Sequence, residues 1–133
     1  MAQGVVIDAS AILAYLQNEE GAEAVEAALE AGVISAVTFT EVLGKLIGKG
    51  VPANQAEADL EELGLEVVDY GQELARAAAY FYARRSPYNL SLGDCAVLAL
   101  GEHLGLPILT GEREWAKLPG LRVKAQLIRK AKP

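Results

Sequence analysis

Short, uniformly apolar runs alternating with stretches of helical spacing are the feature that most narrows what this chain can become. Residues 4–8, 33–37, 65–69, 107–110 and 121–124 read as strands, several rich in β-branched residues. Strands that are apolar at successive positions are buried on both faces, and such strands belong to parallel sheets covered by helices on each side. The intervening segments supply those helices. Ile12, Leu13 and Leu16 space a helix over 10–16; Ala24, Ala27, Ala28 and Ala31 line one side of 20–31. A helix over 38–47 closes at Gly48 and Gly50, and Pro52 suits the first turn of the next, which Gly64 ends. Residues 72–85 turn Leu74, Ala77, Ala78 and Phe81 inward, residues 86–89 are a break, 91–104 is a strongly apolar helix, and Trp115 sits in a short one.

With 133 residues, 52% of them hydrophobic, and no repeat or linker, the chain reads as one domain over 1–133. A domain of this length buries a sufficient core without disulfide or structural metal. Cys95 is the only cysteine and cannot form an internal bridge, which makes a reducing, cytoplasmic setting the default. The apolar start is broken by Asp8 and lacks a basic leader, so no secretory signal is expected. No uncharged apolar stretch approaches the roughly 18 residues that span a bilayer, so no membrane partner is expected either.

The net charge of −6 argues, taken alone, against a phosphate-rich partner. The average hides a polarity: residues 1–75 hold 14 acids against Lys45 and Lys49, whereas residues 76–133 hold 10 bases against 4 acids. The basic end, including Arg129, Lys130 and Lys132, is either a solvated tail or a rim that meets phosphates.

In open parallel sheets ligands bind beyond the carboxyl ends of the strands. Asp8 closes the first strand, Glu41 follows the second by about a turn, and Glu112 comes two residues after Thr110 at the end of the fourth. Asp94 joins them from the first turn of the apolar helix, on the face it shares with Val97, Leu98 and Gly101. Each acid has a local explanation. Thr38 with Glu41, and Ser91 with Asp94, both approximate a capping box; Asp8 suits a helix cap, and Glu112 suits plain solvation. Those explanations do not account for four acids on one edge. Packed carboxylates repel and raise one another's pKa unless a cation holds them, and oxygen donors alone suit Mg2+ or Mn2+ rather than Zn2+. Such a centre is suited to phosphodiester hydrolysis.

His103, the single histidine, falls near a helix end, which removes histidine-based triads and acid–base schemes. The glycines at 44, 48 and 50 lack the spacing and hydroxyl of a Walker loop. Asp8-Ala-Ser10 lacks the second aspartate of haloacid-dehalogenase-type phosphatases, which counts against a small phosphatase or phosphoacceptor domain.

The segments Val-Ile-Asp8-Ala-Ser10-Ala-Ile-Leu, Thr40-Glu41-Val, Leu90-Ser-Leu-Gly-Asp94-Cys-Ala-Val-Leu-Ala-Leu and Ile108-Leu-Thr110-Gly-Glu112-Arg-Glu-Trp115 together resemble a PIN domain of the VapC toxin type. The resemblance covers almost the whole chain and lies in the order and spacing of the motifs. It implies a Rossmann-like three-layer α/β/α fold with a central parallel sheet of about five strands. It also implies a Mg2+- or Mn2+-dependent endoribonuclease, frequent homodimers, and inhibition by a cognate antitoxin. Asp8, Glu41 and Asp94 match the first three acids of the family pattern, and Ser10 and Thr110 its accompanying hydroxyls. Where the family usually has Asp, this chain has Glu112, longer by a methylene. Glu112 then reaches the metal through water, binds it on a shifted backbone, or cedes the place to Glu114.

The leading expectation is metal-dependent cleavage of single-stranded or looped RNA at Asp8, Glu41, Asp94 and Glu112, with Arg113, Lys117 and Arg122 as candidate phosphate contacts. The alternative is a catalytically weak or inactive module of the same fold that binds RNA or protein. Tyr80, Phe81 and Tyr82 are more aromatic surface than one helix face buries, which fits either a dimer contact or half-burial in the monomer.

Overall fold

The computed structural model describes residues 4–129. The expected five strands pair in one all-parallel sheet, in the order β3-β2-β1-β4-β5. They are β1 (Val5–Ile7), β2 (Gly32–Ser35), β3 (Glu66–Val68), β4 (Ile108–Thr110) and β5 (Ala125–Leu127). Six α-helices connect them: α1 (Ala9–Leu16), α2 (Ala22–Ala28), α3 (Ala36–Gly48), α4 (Ala53–Glu61), α5 (Gln72–Ala83) and α6 (Leu92–Leu104). Single 3-10 segments follow α2 at Leu29–Ala31 and β4 at Arg113–Lys117.

Successive strand residues serve opposite faces, as the pleat requires. Val5, Ile7, Ile34 and Leu109 pack with residues of α1 to α4, whereas Val6, Val33 and Ile108 pack with α5, α6 and Trp115. Three layers result. Burying side chains such as Ile7, Ile34 and Ile108 completely contributes roughly 1.5–3 kcal/mol apiece, which is why strands of only three or four residues persist.

The strand order reverses direction between β1 and β4, so the crevice past their carboxyl ends is the switch point of the sheet. Asp8 follows β1 there, and Gly111 and Glu112 follow β4.

Several boundaries differ from those the sequence suggests, among them those of α3, α4 and β5. Helix α3 begins at Ala36, because Ser35 caps it by accepting a hydrogen bond from Val37 N at 3.0 Å. Pro52 precedes α4 instead of opening its first turn. Strand β5 lies at Ala125–Leu127 rather than 121–124, in register with Ile108–Thr110. The more β-like segment Leu-Arg-Val-Lys sits before the ladder, and only Lys124 joins it, its carbonyl accepting from Ile108 N at 2.8 Å. Register with β4, a tertiary matter, overrides local propensity. On α5, Phe81 is buried in the core while Tyr80 is 72% exposed, which separates the aromatic cluster into inward and outward members. None of the described helices is long and apolar enough to cross a membrane.

Candidate active site

Asp8 is the best-defined group at the switch point. It occupies the position before α1, yet its side chain makes no capping bond, so the cap explanation does not hold. Its Oδ2 instead accepts hydrogen bonds from Ser10 Oγ at 2.6 Å and Thr110 Oγ1 at 2.9 Å. Thr110 is itself fully buried, and its Oγ1 accepts from Glu112 N, while Ser10 Oγ accepts from Gly111 N, each at 2.9 Å. Two hydroxyls from opposite sides of the β1–β4 junction thus clamp one oxygen of Asp8, and neither of these bonds engages Oδ1.

The clamp does not offset the cost of burial. Burial pushes the Asp8 carboxyl up from its ordinary 3.8 to about 6. The two hydroxyls pull it down, and the negative charges of Asp94 and Glu41 push it up again. Those two acids, from α6 and α3, therefore stand within electrostatic reach of Asp8, as their places at the sheet edge predict.

Glu41 is not a capping residue either. With α3 beginning at Ala36, Thr38 lies within the helix, fully buried, and its Oγ1 has no hydrogen-bond partner among the described residues. Glu41 extends toward the first turn of α6 instead. A β-carbon added at Gly93 would stand 2.8 Å from Glu41 Oε1, so the glycine makes room for that carboxylate beside Asp94. The other oxygen, Oε2, lies 3.6 Å from Lys45 Nζ, one turn further along α3.

For Asp94 the local explanation holds in full. Asp94 Oδ2 accepts from Ser91 N at 2.9 Å, and Asp94 N donates to Ser91 Oγ at 3.0 Å, a complete capping box. Capping and a role in the site are compatible, because the box engages one carboxylate oxygen and fixes the rotamer.

Glu112 differs from the other three acids. Its backbone belongs to the clamp, but its side chain is exposed, and its charge is absent from the causes that shift Asp8. Glu114 is exposed as well. Arg113 and Lys117 begin and end the 3-10 segment after β4. Arg122 lies elsewhere. It precedes β5, and its backbone N and guanidinium both meet the Glu102 carboxylate, at 2.9 and 3.4 Å, on the far half of α6 from Asp94.

For Arg129 the sequence left open a solvated tail or a rim that meets phosphates, and the structure brings it to the crevice. Two residues past β5, its guanidinium rests over Gly111, beside Ser10. Placing β5 four residues too early hid the fact that Arg129 follows a strand end; Lys130 and Lys132 lie outside the described residues.

In donor chemistry Asp8, Glu41 and Asp94 fit a hard divalent cation: all offer carboxylate oxygens, His103 lies near the end of α6 by Glu73, and Cys95 is buried. Among the described residues, no three His, Cys, Asp or Glu side chains stand close enough to hold a metal ion as they lie. The acids are gathered to electrostatic range and not to ligating range.

Comparison with known proteins agrees with this fold. Residues 5–121 match the model of the PIN domain. The chain is 33% identical over 115 residues to the VapC ribonuclease Mb2780c of Mycobacterium bovis and to ribonuclease VapC42 of Mycobacterium tuberculosis, covering 79% of this chain and 88% of each relative. Among solved structures, the fold is similar to DNA-bound VapBC from Salmonella typhimurium, with a TM-score of 0.70 at 21% identity, over 93% of this chain and 98% of that one. It is similar also to a toxin–antitoxin complex from Klebsiella pneumoniae, with a TM-score of 0.66 at 23% identity, over 88% and 94% of the two chains. A match running from β1 to beyond the 3-10 segment takes in all four acids and both clamping hydroxyls, and the chain belongs to the PIN-domain family.

Proposed function

We propose that this chain is a VapC-type endoribonuclease, the toxin of a toxin–antitoxin pair, which hydrolyses RNA phosphodiester bonds with Mg2+ or Mn2+ held by Asp8, Glu41 and Asp94. One observation carries the reading: a carboxylate buried to 4% exposure and clamped by Ser10 and Thr110 on one oxygen, which burial, and then the charges of Asp94 and Glu41, push up. A buried carboxylate with two further acids in electrostatic reach is costly to the fold, and a cation relieves that cost.

When bound, such a cation activates water for in-line attack and stabilises the departing oxyanion. The chain's own residues prepare the place. Ser10 and Thr110 fix the orientation of Asp8 and direct Oδ1 away from the clamp. Ser91 fixes Asp94, and Gly93 leaves space for Glu41, whose flexible side chain exchanges Lys45 for the site. Glu112, exposed at the rim, orients water or a second ion, and Arg113 and Lys117 offset the acidic centre toward the RNA phosphates.

The similar structures are of toxin–antitoxin complexes, and we extend that pairing to this chain, with an antitoxin covering the acidic crevice. The outward Tyr80 and Tyr82 of α5 suit a second copy of the chain, giving a homodimer.

Cleavage of RNA that requires added Mg2+ or Mn2+, stops with a chelator, and is lost in a folded Asp8→Asn variant is the expected result. Metal-independent cleavage, or full activity in Asp8→Asn, refutes the assignment. The spacing of the acids beyond ligating range favours the alternative of a non-catalytic interaction module, which predicts RNA or protein binding without carboxylate dependence.

A further inference from the structure

Among the described residues, Arg129 places a guanidinium at the crevice that has no part in the proposed metal site. A β-carbon built on Gly111 would stand 2.6 Å from Arg129 Nη2, 3.4 Å from its Cζ and 3.3 Å from Ser10 Oγ. The guanidinium therefore lies against the glycine, on the side where the Ser10 hydroxyl that clamps Asp8 also stands. Its Nε is buried and has no hydrogen-bond partner among the described residues. The backbone before it is held in place: Ile128 is buried, and its N donates to Thr110 O at 3.0 Å.

A buried donor on a cation is costly when unpaired, so this position calls for an anion. Among the described residues no acid of the crevice pairs with Arg129: Asp8 Oδ2 accepts from two hydroxyls, Asp94 Oδ2 from Ser91 N, and Glu41 lies by Lys45. A guanidinium fork matches two oxygens of a phosphate, and a strand of RNA brought to the carboxylates carries its phosphates past this rim. We propose that Arg129 is a substrate-positioning residue, which takes a backbone phosphate of single-stranded RNA at the mouth of the Asp8 site. The proposal rests on the ribonuclease reading. It also gives Gly111 a purpose, since any side chain there would unseat the guanidinium.

The test uses the full chain carrying Asp94→Asn, to suppress cleavage, and a fluorescent mixed-sequence single-stranded oligoribonucleotide, with affinity read by anisotropy across about 50 to 200 mM salt. Adding Arg129→Gln is expected to weaken binding about tenfold or more at low salt. The slope of log affinity against log salt should fall by about 0.7, the share of one phosphate on a single strand. Arg129→Lys should keep most of the slope while losing part of the affinity, because the charge remains and the fork does not. Unchanged affinity and slope in a folded Arg129→Gln chain overturn the proposal, as does weaker binding with the slope intact, which marks a structural role. Should Arg129→Gln fail to fold, Gly111→Ala, which displaces the guanidinium and keeps its charge, is expected to weaken binding, and normal binding by it overturns the proposal. If the Asp94→Asn parent binds no RNA, the ribonuclease reading falls, and this assignment with it.

Discussion

Replacing Asp8 by Asn should stabilise the protein while destroying its site, and the gain should appear only as pH rises. In the folded chain the carboxyl titrates at about 6, against an ordinary 3.8. Between those values the folded state holds a proton that the unfolded state has released, so stability falls as pH rises through this window. Below about pH 4 both states are protonated and nothing is lost; above about pH 6 the folded state carries the full cost of a buried charge, about 3 kcal/mol. An amide at this position still accepts from Ser10 and Thr110 through its oxygen and never ionises. Metal-free urea and thermal unfolding of both proteins from pH 4 to 8 measures the difference directly. Asp8→Asn should be close to wild type at pH 4 and more stable by about 3 kcal/mol at pH 7.5, roughly 10 °C in Tm. Carboxylates remote from Asp8 are common to the two proteins and cancel. Saturating Mn2+ should then narrow or reverse the gap by stabilising only the wild type. A difference that stays constant with pH, or an Asn variant that loses stability as pH rises, refutes the argument that Asp8 is buried as a strained charge.

Three further outcomes follow from the geometry. Gly93→Ala brings a β-carbon to 2.8 Å from Glu41 Oε1; calorimetry should give roughly tenfold weaker Mn2+ binding, while urea unfolding gives unchanged or slightly higher stability, since alanine favours a helix by up to about 1 kcal/mol. Thr38→Val removes a buried hydroxyl that has no partner among the described residues and should raise stability by about 1 kcal/mol, read from the urea midpoint. Glu112→Gln should lower Mn2+ affinity less than Asp8→Asn does, because the Glu112 side chain is exposed and adds nothing to the shift at Asp8.

The parallel sheet was legible because strands apolar at consecutive positions have no other stable setting, and the β1 to β4 segments were found within a residue or two. Asp8, Glu41 and Asp94 were legible for a topological reason: acids just past strand ends, or in a helix's first turn, are brought to one edge whatever the loop details. The sequence left two matters undecided. Whether an acid caps a helix depends on which residue begins that helix, and a one-turn pattern at Thr38 and Glu41 resembles the genuine box at Ser91 and Asp94 until Ser35 is seen to cap α3. Strand register is equally hidden, which moved β5 and left undecided whether Arg129 belongs to a solvated tail or to the crevice. For Arg122 the sequence offered charge but not position, and the structure pairs it with Glu102, away from the crevice.

The central claim is that Asp8, Glu41 and Asp94 form a metal site. Calorimetric titration of Mn2+ into the purified wild type and into Asp94→Asn tests it most directly and requires no knowledge of the RNA. Saturable binding by the wild type that the folded Asp94→Asn variant loses is the predicted result. No binding by a folded wild type, or equal binding by both proteins, contradicts the account.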